Sequence, residues 1–117
     1  FPIYSANLES KNFKKYKRQY NLIKLDSSGL IEFLKDNFMP KSIVLFGSYS
    51  SGTDTEKSDI DIAIIGKNKE ILDLSSFEKK LSKKINLHLV QVNRSSKEFK
   101  NSLANGIVLE GYIELIE

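Results

Sequence analysis

Cysteine and tryptophan are absent from this 117-residue chain, histidine and methionine occur once each, and proline only twice. Without cysteine there are no disulfides, no thiolate zinc sites and no thiol nucleophile, which fits a reducing cytosol. A single histidine, His88, makes a histidine-rich metal site or a Ser-His-Asp triad a poor expectation, so a metal bound here is held by oxygen. Long apolar runs are missing too. None approaches the roughly 20 residues that cross a bilayer, and the N-terminus lacks the charged-then-apolar order of a signal peptide. The expectation is a soluble, cytoplasmic protein with no membrane partner. Nor is there a large excess of one charge: 18 basic against 15 acidic side chains leave a net +3 and a pI near 9.0, too balanced to argue nucleic-acid binding alone. What is present, 40% hydrophobic residues over this length, suits one compact domain with a modest core. The chain begins with Phe1 and not Met, as expected of a piece of something longer.

Periodicity divides the chain into elements. Phe13, Tyr16, Tyr20 and Ile23 recur at helical spacing with Lys11, Lys14, Lys15 and Arg18 opposite, predicting an amphipathic helix over residues 10–23 with a basic outer stripe. A second helix is expected to take Asp26 or Ser27 as its N-cap, turn Leu30, Ile31, Leu34 and Phe38 inward, and stop before Pro40. Residues 42–46, Ser-Ile-Val-Leu-Phe, read as a buried strand ending at Gly47. A polar stretch follows from Ser48 to Ser58, then a strand that starts on Asp59 and Asp61 and runs to Gly66. Ser75 with Glu78 reads as a capping box for a helix through Leu74, Phe77 and Leu81, and residues 85–92 as a third strand. Ser95 with Glu98 suggests another capped helix to about Leu103, after which Val108 and Leu109 complete the sheet. The order predicts an α/β (α+β) domain, a small mixed β-sheet flanked by helices.

The chemistry lies between Gly47 and Asp61. On a strand, Asp59 and Asp61 project from one face while Ile60, Ile62 and Ile64 take the other. Two like charges this close repel. A basic neighbour or protonation of one acid would relieve them, and a divalent cation relieves them better, because Mg²⁺ binds through one or two carboxylates plus substrate phosphates. Gly47 at a strand end lets backbone approach a ligand, and Ser48 adds a hydroxyl donor where a short helix can open toward phosphate. A lone Gly-Ser turn or a lone Asp-x-Asp is usually no more than a turn or a solvated edge. Together on consecutive strands they are far more specific.

In Gly47, Ser48, Gly52, Ser58, Asp59 and Asp61 the sequence resembles the nucleotidyltransferase superfamily that includes DNA polymerase beta and kanamycin nucleotidyltransferase, especially its minimal archaeal and bacterial members. The resemblance implies that Asp59 and Asp61 are catalytic and hold Mg²⁺, with two ions allowed, and that Gly47, Ser48 and Ser58 bind a nucleoside triphosphate, with Lys57 a possible assistant. It implies transfer of a nucleoside monophosphate, AMP from ATP foremost, to a hydroxyl of a protein or other acceptor. Such domains often pair with small helical toxins, which gives a protein partner as acceptor. The family's third carboxylate belongs on the next strand, where this chain has Asn86 and His88 and no acid. A neutral Asn86 brings no charge and is no base, and His88 is either a base or ligand or a structural residue. The alternative is therefore a nucleotide-binding, catalytically weak regulatory or antitoxin-like module. Residues 1–25 also resemble the last strand and trailing helix of a winged helix joined to a nucleotidyltransferase domain (residues 26–117) in some archaeal proteins, which would add DNA as a partner through an upstream domain. Tyr49 either closes over a ligand or packs against the loop.

Overall fold

The structure is a computed structural model and describes residues 6–66, 71–90, 101 and 105–111. Helix α1 (Ala6–Ser27) leads into α2 (Leu30–Phe38), then β1 (Ser42–Phe46), the single turn α3 (Ser48–Ser51), β2 (Ile60–Ile65), α4 (Ser75–Leu81), β3 (Ile85–Val90) and β4 (Ile107–Gly111). The strands form one sheet in the order β3-β2-β1-β4. It is mixed, as expected: β1 runs antiparallel to both β2 and β4, and β2 runs parallel to β3 across the α4 connection. No helix among the described residues is long and apolar enough to cross a membrane.

Strand alternation sorts the side chains into two layers. Ile43, Leu45, Ile60, Ile62, Ile64 and Ile85 face the helices and meet Leu25, Leu30, Leu34, Phe38, Leu74 and Leu81 in the main core. Val44, Phe46, Ala63, Ile65 and Val90 form a second buried cluster on the opposite face. Tyr49 belongs to the main core and is 2% exposed, so it packs and does not cover a ligand. Burial pushes its hydroxyl up to about 12, with Asp54 and Tyr20 adding to the shift.

Several expectations need correction. Helix α1 spans Ala6–Ser27 and so extends past the expected bounds of 10–23 at both ends; residues 1–5 lie outside the described ones. The aromatic stripe of α1 faces outward: Phe13, Tyr16, Tyr20 and Ile23 are all exposed, and the helix buries Asn21 and Leu25 instead. The reason is Gly52, whose missing side chain lets the α1 backbone come close. A Cβ there would lie 2.3 Å from the Lys14 carbonyl oxygen and 3.0 Å from the Arg18 backbone nitrogen, so the helix meets the domain through its backbone at residues 14–18, while Lys11, Lys14, Lys15 and Arg18 are themselves exposed. Asp26 and Ser27 do not cap α2, because α1 continues through them. Gly29 turns the chain and the Ser28 hydroxyl joins the helices, donating to Leu25 O at 2.6 Å and accepting from the Leu30 N–H at 3.2 Å. Leu30, Leu34 and Phe38 are buried as expected, and α2 ends at Phe38, capped by Met39 ahead of Pro40. Ser75 and Glu78 form no capping box: Asp73 accepts from the Ser75 N–H and hydroxyl, while the Glu78 carboxylate accepts from the Ile85 N–H at 2.8 Å, tying α4 to the start of β3. Strand β2 begins one residue later than expected, at Ile60. Of the expected helix from Ser95 to Leu103 only Asn101, which is helical, is among the described residues; the end of the third strand at residues 91–92 and the tail after Gly111 fall outside them.

Candidate active site

Register brings three strands together at one end of the sheet. Phe46, the last residue of β1, is the partner of Asp61 on β2, and Asp61 is in turn the partner of Asn86 on β3. Gly47 therefore leaves β1 directly beside Asp61. Its φ of +77° is one that residues with side chains rarely adopt, and a Cβ there would stand 2.6 Å from the Asp61 carboxylate. Glycine at this position is thus required twice, by the turn and by the acid.

Asp59, just ahead of β2, and Asp61 direct their carboxylates at the same atom. The Asn86 amide nitrogen donates to Asp59 Oδ2 at 3.0 Å and to Asp61 Oδ1 at 3.3 Å. Both acids are only partly buried. His88, two residues on and on the same face, places Nε2 3.5 Å from Asp61 Oδ1, and its ring meets Phe46 edge-on with centroids 5.1 Å apart. Asp59, Asp61, Gly47, Asn86 and His88 thus come together. Ser48 opens α3 next to them and is half-buried. Ser58 is placed differently: its hydroxyl accepts from the Thr55 N–H at 2.9 Å and closes the turn that precedes Asp59. Lys57 lies exposed on that turn.

Sequence reasoning missed the groups that hold this turn. Asp54, whose side chain is wholly shielded from solvent, lies 3.3 Å from the Lys17 ammonium of α1 and 3.5 Å from that of Lys83, and accepts from the Asn21 amide at 2.8 Å. Burial by itself would raise the Asp54 pKa. Hydrogen bonds from Asn21 and Lys17 and the charges of Lys17 and Lys83 outweigh burial, and the carboxyl sits below its ordinary value. Lys83 also donates to the Thr55 and Ser58 carbonyls, and Asn21 to the Tyr49 carbonyl, so α1 and the α4–β3 connection grip the segment leading into Asp59. No local pattern signals this, because the partners are far apart in sequence.

Among the described residues no three acid, histidine or cysteine side chains are grouped as a metal cluster. The residues present nonetheless suit one hard divalent cation completed by phosphate oxygens. Two carboxylates converge on a single point, faced among the described residues by a neutral amide and one imidazole, in a cradle that a side chain on Gly47 would fill.

The family described as Polymerase beta, Nucleotidyltransferase matches residues 28–111, a span that holds every one of these site residues. The chain belongs to that family. This nucleotidyltransferase domain is 51% identical over 43 residues to the protein adenylyltransferase MntA of Shewanella oneidensis, a stretch covering 35% of this chain and 30% of MntA. It is similar in structure to a toxin-antitoxin crystallised with AMP-PNP, at 32% identity and a TM-score of 0.52 over 71% of each chain. A mutant of the toxin-antitoxin MntA-HpeT is similar at 30% identity, with the same TM-score and coverage. The nucleotidyltransferase chain spans about a third of the length of the curated relatives it matches.

Proposed function

We propose that the domain is a Mg²⁺-dependent nucleotidyltransferase that moves AMP from ATP to a hydroxyl of a protein acceptor. One observation carries this: Asp59 and Asp61 aim two carboxylates at a common point beside the bare backbone of Gly47, and among the described residues no lysine or arginine pairs with them. Asp59 and Asp61 would hold Mg²⁺, which when bound neutralises triphosphate charge as pyrophosphate leaves. Gly47 admits the phosphates close to Asp61, the Ser48 hydroxyl donates to them, and Ser58 keeps the turn before Asp59 in shape. The acceptor hydroxyl gives up its proton to solvent, its oxygen bonds to the α-phosphorus, and the bond from the α-phosphorus to the bridging oxygen breaks so that pyrophosphate leaves. The names of MntA and of the AMP-PNP-bound toxin-antitoxin support an adenine nucleotide and a protein acceptor, a small helical toxin being the kind of partner that fits.

Asn86 favours a second reading, a module that binds nucleotide and regulates a partner with little turnover, because the residue beside Asp61 on β3 is an amide and not an acid. The two are separated by incubating the domain and a partner with labelled ATP and Mg²⁺: label on the partner or on the domain supports transfer, and binding without label supports the module. Both require calorimetric titration of ATP to show Mg²⁺-dependent binding by the native protein and none by Asp59→Asn/Asp61→Asn. Equal binding by the two proteins would remove the aspartates from the metal site.

A further inference from the structure

The Asn86 amide spends its donors on the two carboxylates, which is possible only while no cation lies between them. An asparagine side chain carries two N–H donors on one end and an acceptor oxygen on the other. Here the Nδ2 end points at Asp59 and Asp61. The rotation that would exchange the ends, about Cβ–Cγ, is a soft, roughly two-fold torsion. A cation arriving between the acids repels the polarised N–H groups, whereas a half-turn presents Oδ1, a hard oxygen of the kind Mg²⁺ accepts.

Charge decides when that half-turn is favourable. Among the described residues the two carboxyl groups share one neutral amide donor. A free Mg²⁺ must lose part of a tightly held water shell and break two charge-assisted hydrogen bonds, with no further anion to compensate. A Mg²⁺ already bound to a triphosphate brings its own oxygen ligands. We infer that Asn86 is an amide switch that makes metal capture depend on the nucleotide: Nδ2 holds Asp59 and Asp61 together while the site is without a cation, and Oδ1 turns to the ion only when it arrives with a nucleoside triphosphate. This rests on the Mg²⁺-dependent reading above. The protein then does not bind free divalent ions at cellular concentrations and does not take up nucleotide without its metal.

The test counts free Mn²⁺ by electron paramagnetic resonance as it is titrated into nucleotide-free protein. Asn86→Asp adds a third negative charge and removes the competing donor, so it is expected to bind Mn²⁺ at least tenfold more tightly than the native protein. Equal affinity overturns the switch. A second readout uses the native protein and does not depend on the variant folding. The Asn86 side-chain amide resonance in a ¹H–¹⁵N spectrum should shift and exchange faster with water on adding ATP with Mg²⁺, and stay in place with Mg²⁺ alone. A resonance unmoved at saturating ATP and Mg²⁺, or one already moved by Mg²⁺ alone, sinks the proposal while leaving the metal reading intact. Native protein that binds ATP equally well with and without Mg²⁺ overturns both.

Discussion

Three aspartates lie close together in this chain, Asp54, Asp59 and Asp61, and their surroundings differ in kind. Asp54 is shielded from water and faces two ammonium groups and an amide donor, all supplied by the protein. Asp59 and Asp61 are partly open to solvent, and among the described residues they share one neutral donor, Asn86, and have His88 beside one of them. An acid that serves the fold carries its counter-charge with it, because an unpaired buried charge is strongly unfavourable. Acids that serve a ligand leave the counter-charge to be brought. On the proposed reading, that difference is what sets the carboxylates of a ligand site apart from a carboxylate that serves the fold.

The comparison can be broken most severely at the open pair. Asp59→Asn/Asp61→Asn should lower AMP transfer by on the order of a thousandfold while leaving apo stability within ~0.5 kcal/mol, or slightly raised, since it relieves repulsion; label incorporation and urea unfolding measure the two. Asp54→Asn should do the reverse in stability, costing about 2 kcal/mol, because Lys17 and Lys83 lose a charged acceptor that burial makes hard to replace. A loss at the open pair as large as at Asp54 would erase the distinction. Gly52→Ala should cost about 1–3 kcal/mol through its clash with the α1 backbone, with ATP affinity retained in the protein that stays folded.

The pH dependence follows from Asp54. Its carboxyl releases the proton more readily in the folded chain than in the unfolded one, so the stability it contributes is complete at neutral pH and is lost as pH falls below the ordinary 3.8. Acid titration of the native protein against Asp54→Asn should show the native curve converging on the variant's in that range. The smallest expected effect is Glu78→Gln, about 1 kcal/mol in thermal unfolding, from weakening the bond to the Ile85 N–H.

Much of this was legible in the sequence where local rules act. Strands β1 and β2 stand out because β-branched runs are bounded by proline and glycine, and alternation alone places Asp59 and Asp61 on one face. Asn86 and His88 stand on the strand where the resemblance expects a third carboxylate, and the structure puts them against the acids. Helix α1 resisted because periodicity tells which residues share a face and not which face the domain covers. Phe13, Tyr16, Tyr20 and Ile23 do share one, and it points outward. Glu78 was misread because a carboxylate three residues past a serine satisfies the local pattern of a capping box, while its actual partner, the Ile85 N–H, becomes available only once the chain has turned back.

Gly52 stands within the stretch that gives the family resemblance, between Gly47-Ser48 and the aspartates, yet the crowding around it comes from the helix and not from the site. It and α1 are therefore expected to vary together over evolutionary time. A lineage that loses or redirects the helix is freed to replace this glycine, and one that keeps the helix is not.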